Sequence, residues 1–367
     1  MHKAPLVTEK QVVFYPAYGY RQADTWHVPL RLWVNKPPDR LRRAVAKGAR
    51  RIIRRMTGIT RLTAAEKSLY AARAADFVAD SESREEIFFR FDADPAGKLF
   101  SIQDHHGESK TDFNGLIEGT LVLDDDTAIR LLAAQQSTHG WLSFHAASKG
   151  HSGAGKVRLI PPRGLSVISD IDDTIKDTQI PKGNSAVLKK TFFQHFTATP
   201  GMTQMYSDFP LQTAFHYVSG GPWQMYRPLA EFLFAPAEAK ANAMGEALFP
   251  AGSIHMKNVR TNPFESESYQ DFWQLAAAEG SATVDQKIRQ ISRILQHFPE
   301  RQFILIGDSG EHDPEIFDHI RDQYPESVIE IRIRDVVNAC RNTPERLSAM
   351  TIIDAQTGQI ISTQDSH

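Results

Sequence analysis

The chain has 367 residues, 41% of them apolar and 23% charged, with a formal net charge of −2 at pH 7. That length and composition suit two globular domains, or one large domain with an appendage, and exclude a disordered or fibrous chain. The near-neutral balance gives no global case for a nucleic-acid binder, and Cys340, the sole cysteine, excludes an intramolecular disulfide or a cysteine-rich zinc site.

The opening stretch, MHKAPLVTEKQVVFYP, lacks a long apolar core and carries Glu9, so no secretory signal is expected there. No apolar run approaches a membrane span. The expected location is cytoplasmic, with membrane contact at most peripheral.

Gln11–Tyr20 and Thr25–Val34 read as strands, the second with Trp26, Val28, Leu30, Leu32 and Val34 on one face before Pro37 and Pro38 stop it. Residues 39–57, DRLRRAVAKGARRIIRRMT, are the densest positive block. Leu41, Val45, Ala49, Ile52 and Met56 form a narrow apolar stripe, with Arg40, Arg43, Lys47, Arg50, Arg51, Arg54 and Arg55 around it. Such a helix suits either an anionic membrane surface or simple packing of its stripe against a neighbouring domain. Nucleic acid is not the expected partner, because no aromatics interleave the cations.

Thr63–Val78 reads as a further helix. Strand-like pieces follow at 86–91, 99–102, 113–123 and 140–146, with turns at Gly107 and 124–126. They suggest a small antiparallel β domain preceded by helices. His105 and His106 are adjacent and read as a solvated turn rather than a metal site. Gly150–Lys156, GHSGAGK, mimics a phosphate loop, but Val157 stands where Ser or Thr is required.

The next stretch, LSVISDIDDTIK from Leu165 to Lys176, is a buried-strand pattern ending in three carboxylates, Asp170, Asp172 and Asp173. Open α/β sheets place ligands at such strand ends, and clustered carboxylates require a positive partner. A helix is expected at Ala186–Phe196. The Phe215–Val218 strand then ends in Ser219, Gly220 and Gly221, where a hydroxyl and backbone N–H groups can meet a phosphoryl oxygen. Ser253–Met256 reads as a third strand, followed by an irregular segment from Lys257 to Ser268 suited to substrate contacts or a lid. Asp285–Phe298 is the clearest helix, with Lys287 in its first turn. Gln302–Ile306 is an apolar strand leading into GDSGEHDP, which contains Asp308 and Asp313. With Asp170 and the Asp172 carbonyl, those two acids make an oxygen-rich set that favours magnesium over zinc. Val328–Ile333 is one more strand, and Thr351–Ile361 a terminal hairpin.

These elements predict a three-layer α/β domain with a mostly parallel sheet at 160–342, an amino-terminal helical and antiparallel β domain at 1–155, and a tail at 343–367. The ordered pieces SDIDDT, SGG, a helix-borne lysine and GDSGEHD resemble the haloacid dehalogenase-like phosphatases. More narrowly, DIDDTIK and FILIGDSGEHDPEIF resemble the catalytic domain of the fungal actin-patch-type phosphatidate phosphatases and their bacterial relatives, kin to the lipins. The likeness runs from about Arg163 to Asn338, and VVFYPAYGYRQADTWHVPLRLWV is similar to the opening of the bacterial members.

The resemblance implies a Rossmannoid domain with Asp170 as nucleophile, Asp172 as general acid/base, Thr174 as the threonine of the first motif, and Ser219 as a phosphate ligand. Lys287 would be the bridging lysine, with Lys257 as competitor. Asp308 and Asp313 would hold magnesium together with Asp170 and Asp172. The implied reaction is hydrolysis of phosphatidate through an aspartyl-phosphate, with Asp172 kept protonated by its crowded neighbours. The alternatives are a soluble phosphomonoesterase for a small metabolite and a non-catalytic lipid- or protein-binding module; filled catalytic positions speak against the latter. Asp173 stands where the lipin-like DxDGT pattern has glycine.

Overall fold

The computed structural model describes residues 9–235, 247–257 and 281–361. Most of the Lys257–Ser268 segment, and the ordered element expected around Trp273, lie outside them. Contacts divide the chain into two compact units: residues up to 43 with 78–162, and 44–77 with the chain from 163 onward. The helices at 44–77, grouped by sequence with the β-rich part, thus fall in the second unit.

In the first unit the strands are β1 (Lys10–Phe14), β2 (Ala17–Gln22), β3 (Thr25–Lys36), β4 (Asp80–Ser81), β5 (Phe89–Phe91), β6 (Leu116–Asp124), β7 (Trp141–Ala146), β8 (His151–Ser152) and β9 (Ala154–Leu159). They form one sheet in the order β5-β7-β9-β2-β3-β1-β8, with β4 and β6 also on β3. Gln11–Tyr20 is two strands rather than one; the break falls at Pro16, which has no N–H to give a ladder. The sheet is not purely antiparallel, because β1–β8 and β2–β9 pair in parallel. Residues 124–126, read as a turn, begin a helix instead: the Asp124 carboxylate accepts from Thr127 N–H at 2.7 Å and caps Asp125–Ala134. Phe14, Leu32, Val34, Phe89, Leu142 and Phe144 pack in this unit's core.

The basic block forms the helix Arg40–Met56, whose Asp39 carboxylate accepts from Arg42 N–H at 2.7 Å. Its buried face is Ala49 and Ile53, which pack with Tyr70 and Ala74 of the helix Ala64–Ala74 and with Leu188 and Phe192 of the helix Asn184–Phe193. The predicted stripe is therefore rotated. Leu41, Ile52 and Met56 are 63%, 51% and 46% exposed. The helix carries two apolar strips, and periodicity alone does not choose between them. Arg73 donates to the Lys190 carbonyl at 3.1 Å, and Asp76 pairs with Arg227 at 2.8 Å, holding the second helix to this unit.

The second unit's sheet comprises β10 (Gly164–Ser169), β11 (Ala214–Pro222), β12 (Gly252–Lys257), β13 (Arg301–Asp308), β14 (Val328–Asp335), β15 (Thr351–Asp354) and β16 (Ile360–Ile361). Their order is β12-β11-β10-β13-β14-β15-β16, parallel except for the β15–β16 hairpin. The expected α/β architecture with a parallel sheet is observed. Residues 351–354, inside the stretch read as a tail, extend the sheet. Strand order runs outward from β10 through β11 to β12, then resumes on the other side with β13. The chain's direction of travel thus reverses between β10 and β13, where a ligand crevice opens beyond the carboxyl ends of such strands.

The rotated helix face has a direct consequence for stability. Ile53→Ala should cost about 2–5 kcal/mol in urea unfolding, whereas Ile52→Ala should stay within about 0.5 kcal/mol. Equal effects would place the contact face elsewhere.

Candidate active site

Asp170 follows β10 directly, and its N–H donates to the Ile306 carbonyl of β13 at 2.9 Å. The turn after it is anchored by Ile171 and Ile175, both fully buried. Asp173 has φ = 54°, a left-handed conformation that glycine adopts freely and Asp tolerates. Its carboxylate accepts from the N–H groups of Thr178, Gln179 and Ile180 at 2.8, 2.6 and 2.5 Å. Its carbonyl accepts from Arg334 Nη1 at 2.7 Å. The residue at the glycine position is thus a brace for the loop that follows.

The Asp170 carboxylate accepts from Lys287 Nζ at 2.9 Å and from Thr174 Oγ1 at 3.1 Å. Lys287, on the helix Ser281–His297, also reaches Asp313 at 2.7 Å and Glu311 at 3.3 Å. Asp313 opens the helix Asp313–Gln323 and lies so close to β13 that a Cβ at Gly307 would meet its Oδ2 at 2.5 Å. Glycine is the residue that permits that approach. Asp308 Oδ1 accepts from Gly310 N–H at 2.7 Å, while its Oδ2 is buried with no hydrogen-bond partner among the described residues.

Burial pushes the Asp170 and Asp308 carboxyls well above their ordinary range; Lys287 opposes the rise, and the neighbouring acids reinforce it. Glu311 is pushed up to about 7, again chiefly by burial. For Lys287, burial would lower the ammonium, but Asp170, Asp313 and Glu311 outweigh it and hold it well above the usual value. The cluster therefore carries more carboxylates than its one ammonium can neutralise.

Asp172 belongs to a different pair. Its Oδ1 lies 2.5 Å from Lys176 Nζ and accepts from Thr178 Oγ1 at 2.7 Å; its Oδ2 accepts from Ser219 Oγ at 3.3 Å. Gly221 N–H donates to Ser219 Oγ at 3.0 Å, fixing that hydroxyl at the end of β11. Burial would raise the Asp172 carboxyl, yet Lys176 overrides it and the value falls below the ordinary one. The expectation that crowding keeps Asp172 protonated is thus corrected: a buried lysine four residues on favours the carboxylate.

Lys257, the competitor for the bridging role, donates to Thr283 Oγ1 at 2.7 Å, and Lys287 is the lysine that contacts Asp170. Carboxylate oxygens of Asp170, Glu311 and Asp313 lie within 4.8 Å of one another, a group able to hold a metal ion. Asp308 and the Asp172 side chain fall outside that group. Glu311 was not singled out from the sequence, although it stands in the GDSGEHD run. Lys176 carries no sequence signal for its role, because nothing in DIDDTIK shows which way a lysine turns. Asp172, Ser219 and Glu311 line a cavity of about 660 Å³.

Residues 165–335, which contain both charged clusters, match the family described as "Phosphatidate phosphatase APP1, catalytic domain". This segment belongs to the APP1-type phosphatidate phosphatase catalytic family. The chain is 29% identical over 189 residues to Phosphatidate phosphatase APP1 of Saccharomyces cerevisiae, covering 50% of this chain and 28% of the yeast protein. It is 26% identical over 186 residues to an uncharacterised protein of Schizosaccharomyces pombe, covering 50% and 27% respectively. The match thus spans little more than a quarter of the length of these curated relatives. Among solved structures, a β-glucuronidase from Ruminococcus gnavus aligns at a TM-score of 0.20 and 8% identity over 91% of this chain and 45% of that one, a likeness that carries no argument.

Two outcomes test this electrostatic arrangement. Asp173→Ala should destabilise more than Asp173→Gly by about 1–2 kcal/mol in chemical unfolding, since both lose the braces but only alanine keeps the backbone strain. Because the folded Asp172 value is depressed, the stability from its lysine pair is present above the unfolded carboxylate value and is lost as pH falls through the folded one. Lys176→Met should therefore flatten the loss of stability from about pH 5 downward, read by urea unfolding across the acid range.

Proposed function

We propose that this chain is a magnesium-dependent phosphatidate phosphatase of haloacid dehalogenase-like architecture, working through an aspartyl-phosphate. One observation carries the reading: Asp170, at the end of the central strand β10, is held by Lys287 and Thr174 with Asp172 two residues on, inside the segment that matches the phosphatidate phosphatase catalytic family. The strand order around β10 and β13 supports the architecture.

In this reading Asp170 Oδ attacks phosphorus while the ester oxygen departs. Lys287 opposes the burial-driven rise in the proton affinity of Asp170 and offsets the charge that gathers on the phosphoryl oxygens. Ser219 Oγ, steadied by the Gly221 N–H, supplies a hydrogen bond at the end of β11. Asp172 gives a proton to the leaving alkoxide and then takes one from the water that cleaves the acyl phosphate. Since Lys176 holds Asp172 as a carboxylate, that proton must arrive first, and a monoanionic phosphate ester can bring it. The donor set fits magnesium: Asp170, Glu311 and Asp313 offer only hard oxygens, and Asp308 Oδ2 is buried without a partner. Asp170, Glu311 and Asp313 would hold the ion, with Asp308 and the Asp172 carbonyl as the further oxygens the family resemblance implies, and the bound ion would supply charge neutralisation for a dianionic phosphate.

The exposed Leu41, Ile52 and Met56 lie on a helix rich in arginine, which supports peripheral docking on an anionic bilayer from the cytoplasmic side. No helix among the described residues is long and apolar enough to cross a membrane.

Phosphate release from phosphatidate in mixed micelles tests the chemistry. Magnesium should be required, chelator should abolish the rate, and Asp170→Asn should lower it by at least about 10³-fold. Activity confined to small phosphate esters would instead support a soluble phosphomonoesterase. For docking, flotation with anionic vesicles should fall when Arg40, Arg43, Arg51 and Arg55 are changed together to Gln; unchanged flotation removes that role from the helix.

A further inference from the structure

We infer that the cavity beside Asp172 and Ser219 receives the hydrocarbon part of the leaving group, and that Val187 limits how much of it fits. The inference rests on the phosphatase reading. The cavity, about 660 Å³, is within the range that buries a drug-sized ligand. Part of its lining is polar: Asp172 and Ser219 are hydrogen-bonded to each other, and Glu311 lies within 4.8 Å of the Asp170 carboxylate that would attack phosphorus. Lys176, Thr178, Asn184, Thr191 and Thr283 add further polar lining, and the remaining walls are largely apolar. Val187, Leu188 and Phe192 come from the helix Asn184–Phe193, and Met225 and Leu229 from the segment after β11.

Several of these polar lining groups are already engaged. Lys176 Nζ and Thr178 Oγ1 are tied to each other and to Asp172, and Thr283 accepts from Lys257. A polyhydroxylated leaving group would give up water for few partners there, whereas an alkyl or acyl-bearing alcohol would bury apolar surface against apolar walls. Leu188, Phe192 and Leu229 are nearly fully buried within the protein, so they form a fixed wall. Val187 is half-buried on the same helix and is the position where added volume can enter the space.

The test uses ethyl, butyl, hexyl and octyl phosphate, each kept monomeric so that no lipid interface contributes. In the wild type, kcat/KM should climb with chain length, toward about fourfold for each fully buried methylene, and then level off. Val187→Trp, checked for folding by circular dichroism, should level off at a shorter chain; Val187→Met is the milder variant if tryptophan is not tolerated. A flat series with good turnover overturns the inference, and so does a Val187→Trp series that follows the wild type. If no ester is hydrolysed, phosphatidate in micelles included, the phosphatase reading fails instead. Calorimetry with ethyl- and octylphosphonate then decides the cavity on its own: octyl binding that is no tighter than ethyl, or no weaker in Val187→Trp, overturns it.

Discussion

One buried ammonium organises the catalytic unit. Lys287 Nζ sits within hydrogen-bond range of Asp170 and Asp313 and 3.3 Å from Glu311, on a helix remote in sequence from all three. Without it, four buried or half-buried acids would face one another in a low-dielectric space, and they would protonate or force the fold apart. The backbone is shaped to deliver this cluster. Gly307 lets Asp313 approach β13, and Asp173 accepts its left-handed geometry while tying down the loop that carries Lys176 and Thr178.

The two carboxylates of the DIDDT run receive opposite treatment. Asp170 is drawn into the acidic cluster, where burial raises its proton affinity against the pull of Lys287. Asp172, two residues later, meets its own lysine and is held as an anion. A pair of titratable groups pushed in opposite directions is a pattern expected of acid–base chemistry. Strand alternation does not make this division. At the end of a strand, residues i and i+2 leave on one face, but the turn beginning at Ile171 swings Asp172 toward β11 and Ser219.

Much of this was legible in the chain. The strands that became β10 to β14, the acids at the ends of β10 and β13, the serine and glycines at the end of β11, and the helix bearing Lys287 all follow from apolar runs and their punctuation. The first unit was harder. Its parallel pairings join segments more than a hundred residues apart, and the Asp124 cap looked like one more acidic turn. In the basic helix, two apolar strips compete, and only the packing of Tyr70 and Phe192 against Ile53 selects one.

The sequence by itself determined the parallel α/β unit, the order of its motifs and which side chains stand at strand ends, because periodicity and strand termination are local properties. Tertiary structure decided which lysine meets which carboxylate. Lys287 rather than Lys257 reaches Asp170, Lys176 holds Asp172, and Glu311 joins the acids. Those pairings depend on distances between elements far apart along the chain and on a shared loss of solvent. Neither is written in any single stretch of residues.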